Sequence, residues 1–143
     1  VAKLELSREL SLTPEDAWAH ASNLAHLGDW LVMHQGWRGE MPAELTTGAT
    51  LVGVAGAKGL RNRVTWTVRD VDPPQLLEMT GVGVGGTKYA LKMTVSPTAS
   101  GCTFTFHLEL GGRPLFGPIG ATAARAVKGD IERSIRQFEA LYS

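Results

Sequence analysis

Residues Gly117–Tyr142 read GPIGATAARAVKGDIERSIRQFEALY, and the fold depends on what this stretch becomes. Ile119, Ala123, Val127, Ile131, Ile135, Phe138 and Tyr142 recur at three- or four-residue steps, which predicts one long amphipathic helix whose stripe packs on something apolar. The other face carries Arg125, Lys128, Glu132, Arg133, Arg136 and Glu139, a solvated surface in which Glu132 to Arg136 would add ~0.3 kcal/mol. The first half of the helix is built from small residues: Gly117, Gly120, Ala121, Ala123, Ala124, Ala126 and Gly129. Bulky Ile131, Ile135, Phe138, Leu141 and Tyr142 fill the second. Small residues facing a curved sheet leave a hollow; equally, they let helix and sheet touch closely with no void, as native interiors normally do. A dry void of ~300 Å³ would forfeit about 7 kcal/mol, comparable with a whole domain's stability, so a real cavity is expected to hold water or a ligand.

The partner of this helix is legible upstream. Val64, Trp66 and Val68 alternate with Thr65 and Thr67; Tyr89, Leu91, Met93 and Val95 alternate with Lys88, Ala90, Lys92 and Thr94; Cys102, Phe104, Phe106, Leu108 and Leu110 alternate with Thr103, Thr105, His107 and Glu109. Period-two patterns of this kind predict strands with one wet face. Pro73-Pro74, Gly85-Gly86 and Ser96-Pro-Thr-Ala-Ser-Gly101 punctuate them at hairpin spacing, which predicts an antiparallel sheet. Glycine is 17 of 143 residues, about 12% against a usual ~7%, which suits bulges and bends in a sheet that curls. Gly81-Val-Gly-Val-Gly-Gly86 satisfies the G-x-G-x-x-G pattern, yet no helix follows to hold a pyrophosphate, so it reads as a turn.

At the start, Leu4, Leu6, Leu10 and Leu12 share one face of a strand over residues 2–12, with Arg8 in register among them. Arg8 points inward if the strand stays regular; a strand irregularity or snorkelling to water is the alternative. Thr13-Pro-Glu-Asp16 is a helix start, with a hydroxyl cap, proline at the first position and acids at the positive end of the dipole. Asn23 followed by Leu24, Leu27, Trp30 and Leu31 predicts a second short helix, and a strand is expected around Gly36 to Met41. Trp30-Leu-Val-Met-His-Gln-Gly-Trp37 straddles that junction with two of the four tryptophans. From there to Leu110 the chain reads as strands.

The order is a strand, two short helices, about six more antiparallel strands and a closing helix: an α+β layer pattern over residues 1–143 as a single domain. Lys+Arg and Asp+Glu both total 14, so no net charge favours nucleic acid or an anionic membrane, and small neutral or amphiphilic partners are expected. Arg61, Arg63 and Arg69 share an outward strand face but read as solubility. The single cysteine, Cys102, excludes an intramolecular disulfide, and with no charged leader or long apolar run a cytoplasmic protein without stable membrane insertion is expected.

This order resembles the START-like, or Bet v 1-like (SRPBCC), superfamily with its helix-grip fold, a curved antiparallel sheet of about 6 or 7 strands around a long C-terminal helix. The closer likeness is to the polyketide cyclase/dehydrase branch, through Thr13-Pro-Glu-Asp-Ala-Trp18, the Trp30 to Trp37 segment, Val71-Asp-Pro-Pro-Gln-Leu76 and Gly111-Gly-Arg-Pro-Leu-Phe-Gly-Pro-Ile-Gly120. These are fold landmarks rather than catalytic signatures. The run Leu115 to Gly120 is similar to actinobacterial members, including a mycobacterial toxin of a toxin–antitoxin pair. The resemblance implies a cavity between helix and sheet for lipids, fatty acids, polyketides or other apolar molecules, with enzymatic activity only in some branches.

Candidate ligand-binding residues follow from alternation and the helix stripe: Trp30, His34 and Trp37; Trp66, Tyr89 and Met93; Phe104 and Phe106; Ala123 and Val127. For Trp30, Met33, His34 and Trp37 ordinary core packing stands beside the pocket-wall reading. His20, His26, His34 and His107 lack metal-ligand spacing, and neither a metal nor another cofactor is expected. Cys102 falls on the apolar register as an inert small hydrophobe, and no nucleophile elbow occurs. Acid–base chemistry would fall to Arg8 or His34, the inward polar candidates. Three functions stay open: a binder of an apolar or amphiphilic molecule, a growth-inhibiting toxin held by an antitoxin, and an aromatase/cyclase-like enzyme. The oligomeric state is not legible.

Overall fold

The computed structural model describes residues 2–57, 60–112 and 117–143. Its elements are β1 (Ala2–Leu10), α1 (Pro14–Ala21), a 3₁₀ helix (Leu24–Asp29), β2 (His34–Arg38), β3 (Thr50–Ala57), β4 (Leu60–Asp72), β5 (Leu76–Gly83), β6 (Lys88–Thr98), β7 (Gly101–Gly111) and α2 (Gly117–Tyr142). All seven strands form one antiparallel sheet in the order β1-β7-β6-β5-β4-β3-β2. The sheet curls into a half-barrel, with α1 and the 3₁₀ helix connecting its two edge strands and α2 lying in the hollow. This is the helix-grip arrangement expected from the sequence.

Local signals hold where they were strongest. Thr13 caps α1, its Oγ1 accepting from the Asp16 N–H at 3.2 Å, with Pro14 in the first turn. Four details differ from the expectation. β1 stops at Leu10, leaving Leu12 in the bend before the Thr13 cap. The second short helix is 3₁₀, a form suited to its six residues. β2 starts earlier, at His34, and stops at Arg38 because Gly39 takes φ +74°, so residues 39–49 are a loop rather than strand. The predicted turn over Ser96–Gly101 shrinks, since β6 continues through Pro97, which pairs with Cys102. Pro97 is tolerated there because its missing N–H would face the β5 side beyond the start of β5: Val95, two residues earlier, donates in that direction to the Gln75 carbonyl.

The concave face divides along the strands. In one half, Trp30 is buried and meets Phe104, Phe106 and Phe138 edge-on, at ring centroid distances of 6.0, 6.3 and 5.0 Å. Ile131, Ile135 and Phe138 of α2 fill this half together with Met93, Val95 and Cys102. Ser134, fully buried, bonds the segment after the 3₁₀ helix to α2: its hydroxyl donates to the Asp130 carbonyl at 2.7 Å and accepts the Val32 N–H at 3.0 Å. At the rim, the Arg8 guanidinium donates to Glu139 at 2.6 Å. Arg8 thus keeps the inward register but sits exposed at the sheet edge, opposite Phe104, against the helix. The Glu132 to Arg136 pairing gives way to Asp130 with Arg133, an i,i+3 pair, among the described residues. Of the landmark before α2, Arg113 to Phe116 lie outside the described residues, as do the side chains of Gly117 to Ala121.

The Trp30 indole N–H is buried without a partner among the described residues, so its ring contributes area rather than hydrogen bonding. Trp30→Ala is expected to lower unfolding free energy by about 3–5 kcal/mol in urea titration, while Trp30→Phe, which removes the unpaired donor and keeps an aromatic ring, costs clearly less.

Candidate functional site

The other half of the concave face is hollow. A cavity of about 490 Å³ lies between β2–β7 and the N-terminal half of α2, with Ala123 and Val127 as its helix side. One rung of the sheet explains the space. Leu51, Trp66, Gly81, Tyr89 and Leu110 lie side by side across five strands. At Gly81 an added Cβ would come within 2.6 Å of Val64 Cγ1 and 2.8 Å of Trp66 Cε3, so glycine lets the indole lie over the strand. Trp66 and Tyr89 therefore meet above it, ring centroids 5.9 Å apart. Gly53 seats Trp37 in the same way, with the ring 3.1 Å from a would-be Cβ, and the Trp37 indole donates to the Leu24 carbonyl at 2.6 Å.

Of the residues expected from sequence, His34, Trp37, Trp66 and Tyr89 line the cavity, as do Phe106, Ala123 and Val127. Trp30, Met93 and Phe104 do not; they belong to the filled half described above. Met93 pairs with Leu77 and Phe106, one inward position further along the strands than Leu91 and Met79, which do line the cavity. Arg8 is also outside it, held by Glu139. The Trp30 to Trp37 segment is therefore both things the sequence left open: core at Trp30, wall at His34 and Trp37.

Met33, which the sequence left between core and wall, also lines the cavity, and several wall residues went unnamed in the sequence: Leu27 and Leu31 before β2, and Leu108 and Leu110 on β7. More consequential are the polar ones, Asn62 and Thr87. Asn62 shares register with Val64 and Trp66, so its inward direction was available from alternation, but its flanking arginines drew attention to the outer face. Its amide nitrogen donates to Thr87 Oγ1 at 2.8 Å and to the Tyr89 hydroxyl at 3.0 Å, while its Oδ1 accepts the Val84 N–H at 2.9 Å. Gly83 lies beneath this cluster, where a Cβ would overlap Thr87 and Asn62.

The electrostatics are those of a nearly uncharged chamber. Burial lowers the His34 pKa from 6.5 to about 4, so the ring is neutral at pH 7, tilted against Trp37 at 4.4 Å. Arg61 is the one formally charged residue among the described lining residues, and like Val84 it is exposed. Cys102 is fully buried away from the cavity, where desolvation pushes its thiol pKa up, opposite to the shift that activates a nucleophile. A separate hollow of about 340 Å³ on the convex face is lined largely by polar residues, with His107 contacting Glu5 at 3.2 Å and Glu109 at 3.1 Å. Neither this trio nor any other group of His, Cys, Asp or Glu among the described residues is arranged to hold a metal, and no described helix is long and apolar enough to cross a membrane.

The chain is similar to known proteins along its whole length. It is 55% identical over 142 residues to the uncharacterized protein Rv1546 of Mycobacterium tuberculosis, covering 99% of each. Toxin Rv0910 of the same organism is 38% identical over 143 residues, covering 100% of this chain and 99% of the other. Among solved structures, TTHA0849 from Thermus thermophilus superposes with a TM-score of 0.79 at 17% identity, over 97% of this chain and 95% of that one, a likeness of fold. The model of the family described as polyketide cyclase/dehydrase and lipid transport matches residues 1–142, and the chain belongs to that family.

Proposed function

We propose that this protein binds an apolar or amphiphilic small molecule, such as a lipid, a fatty acid or a polyketide-like compound, in the cavity beneath the first half of α2. The observation that carries the reading is the cavity itself: about 490 Å³ of space walled mainly by leucine, methionine and aromatic side chains. Left dry and sealed, that volume would forfeit about 12 kcal/mol at ~24 cal/mol per Å³, on the scale of a domain's entire stability. The lining residues Arg61 and Val84 are exposed, so the space is open to solvent rather than sealed, and its volume falls in the range of small-molecule sites. The family's description, which includes lipid transport, supports the same class of ligand.

The toxin reading rests on a different observation, the 38% identity to a protein named as a toxin. Under it, induced expression in a mycobacterial host arrests growth, and co-expression of a small neighbouring gene restores it; unimpeded growth at high expression counts against it. A cyclase reading has less to stand on, because Arg8 is bound to Glu139 outside the cavity and only His34 remains of the acid–base candidates. A polyketide-like ligand fits the binding reading without a reaction.

Two measurements address the cavity. N-phenyl-1-naphthylamine, a neutral apolar fluorophore, should brighten on titration with the protein after solvent extraction, and Ala123→Trp, which fills the space from the helix side, should weaken that binding at least about tenfold. Undiminished binding by a folded Ala123→Trp variant would contradict the site. The second measurement concerns pH. The unfolded chain protonates His34 below about pH 6.5, whereas the folded ring stays neutral until about 4, so its contribution is intact above pH 6.5 and is lost as pH falls toward 4. Denaturation at pH 7 and pH 4.5 should show His34→Gln losing less stability than the parent across that interval, by up to about 2 kcal/mol after allowing for solvent at the half-buried ring.

A further inference from the structure

The hydrogen bonds around Asn62 have a direction. A backbone N–H can only donate, so the 2.9 Å contact with Val84 N fixes which end of the Asn62 carboxamide is oxygen. The amide nitrogen then has two N–H groups and spends both, one on Thr87 Oγ1 and one on the Tyr89 hydroxyl. Each hydroxyl is therefore an acceptor toward Asn62 and keeps its own proton. Among the described residues neither hydroxyl donates that proton to another group, and both side chains line the cavity. An amide with all its bonds made thus leaves two cavity-lining hydroxyls as donors with no acceptor recorded for them among the described residues.

Charge narrows the class of acceptor. The His34 ring is neutral, and Arg61 stays exposed, so among the described lining residues no buried cation stands by to balance a carboxylate. Desolvating an unpaired carboxylate is far costlier than desolvating a ketone or ester carbonyl.

We propose that Tyr89, set as a donor by Asn62 and supported by Thr87, recognises a neutral carbonyl oxygen on the molecule held in the cavity, and so makes the chamber selective for carbonyl-bearing apolar compounds over plain hydrocarbons. The proposal rests on the cavity being a binding site, and the test separates the two. Three probes of one ring system serve: 2-acetylnaphthalene, 2-ethylnaphthalene and 2-naphthoate, titrated at pH 8 against the quenching of tryptophan fluorescence, since Trp37 and Trp66 form part of the wall. The wild-type protein should bind the ketone about three- to tenfold more tightly than the hydrocarbon, the range of one net hydrogen bond, and bind 2-naphthoate more weakly than the ketone. Tyr89→Phe should bring the ketone close to the hydrocarbon while leaving the hydrocarbon nearly unchanged. Asn62→Asp, whose carboxylate accepts hydrogen bonds from both hydroxyls instead of donating to them, should erode the ketone preference with the tyrosine still present, a result that a merely structural tyrosine would not produce.

Equal binding of ketone and hydrocarbon by the wild type, or a Tyr89→Phe variant that weakens both alike, would overturn the role given to Tyr89. Tighter binding of 2-naphthoate than of the ketone would overturn the choice of a neutral group. Failure of all three to bind the wild type would overturn the cavity reading beneath it.

Discussion

The contact on which the rest depends is the packing of the C-terminal half of α2 against one half of the curled sheet. Ile131, Ile135 and Phe138 meet the aromatic group around Trp30, Ser134 ties the helix to the Val32 N–H, and Arg8 clasps Glu139 at the rim. Burial of that many large apolar groups, each worth roughly 1.5–3 kcal/mol, can hold the helix by one end. The other end then spans the hollow with alanine and valine beneath it, and need not be packed solid to stay in place. Stability and vacancy are thus assigned to different halves of the same helix.

Glycine does on the sheet what alanine does on the helix, but for a different reason. At Gly81 and Gly83 a Cβ would collide with a neighbouring side chain and at Gly53 it would press tightly on the Trp37 ring, so that Trp66, Trp37 and the Asn62 cluster can lie along the wall. A chamber walled by large aromatics needs small residues between them, or the rings would project into the space and close it. The aromatic wealth of the Trp30 to Trp37 segment is shared by the same logic: Trp30 anchors the filled half and Trp37 walls the open one.

Much of this was legible in the sequence. Alternation located the strands and their inward faces, the capping residues located α1, and the change from small to bulky residues along α2 marked the end where either a hollow or a close helix-to-sheet contact would lie. Alternation says which way a side chain points, however, and not how far along the strand the hollow extends. Met93 and Phe104 face inward like Leu91 and Phe106 but fall beyond the cavity's edge, a boundary set by where Trp30 and Phe138 arrive from distant parts of the chain. Arg8 illustrates the same limit: its register was correctly inward, while its fate was decided by a helix residue 131 positions away. Asn62 was readable and overlooked, since a lone polar residue between two arginines looks like surface until its strand partners are known.

The division of the concave face into a packed half and a receptive half is tested most directly by methyl NMR of the isotope-labelled protein titrated with a neutral naphthalene. Shifts are expected at Leu91, Leu108, Leu110 and Val127, with Ile131, Ile135, Leu77 and Val95 nearly still. Shifts centred on Ile131 and Ile135, or confined to exposed Val32 and Leu141, would contradict it.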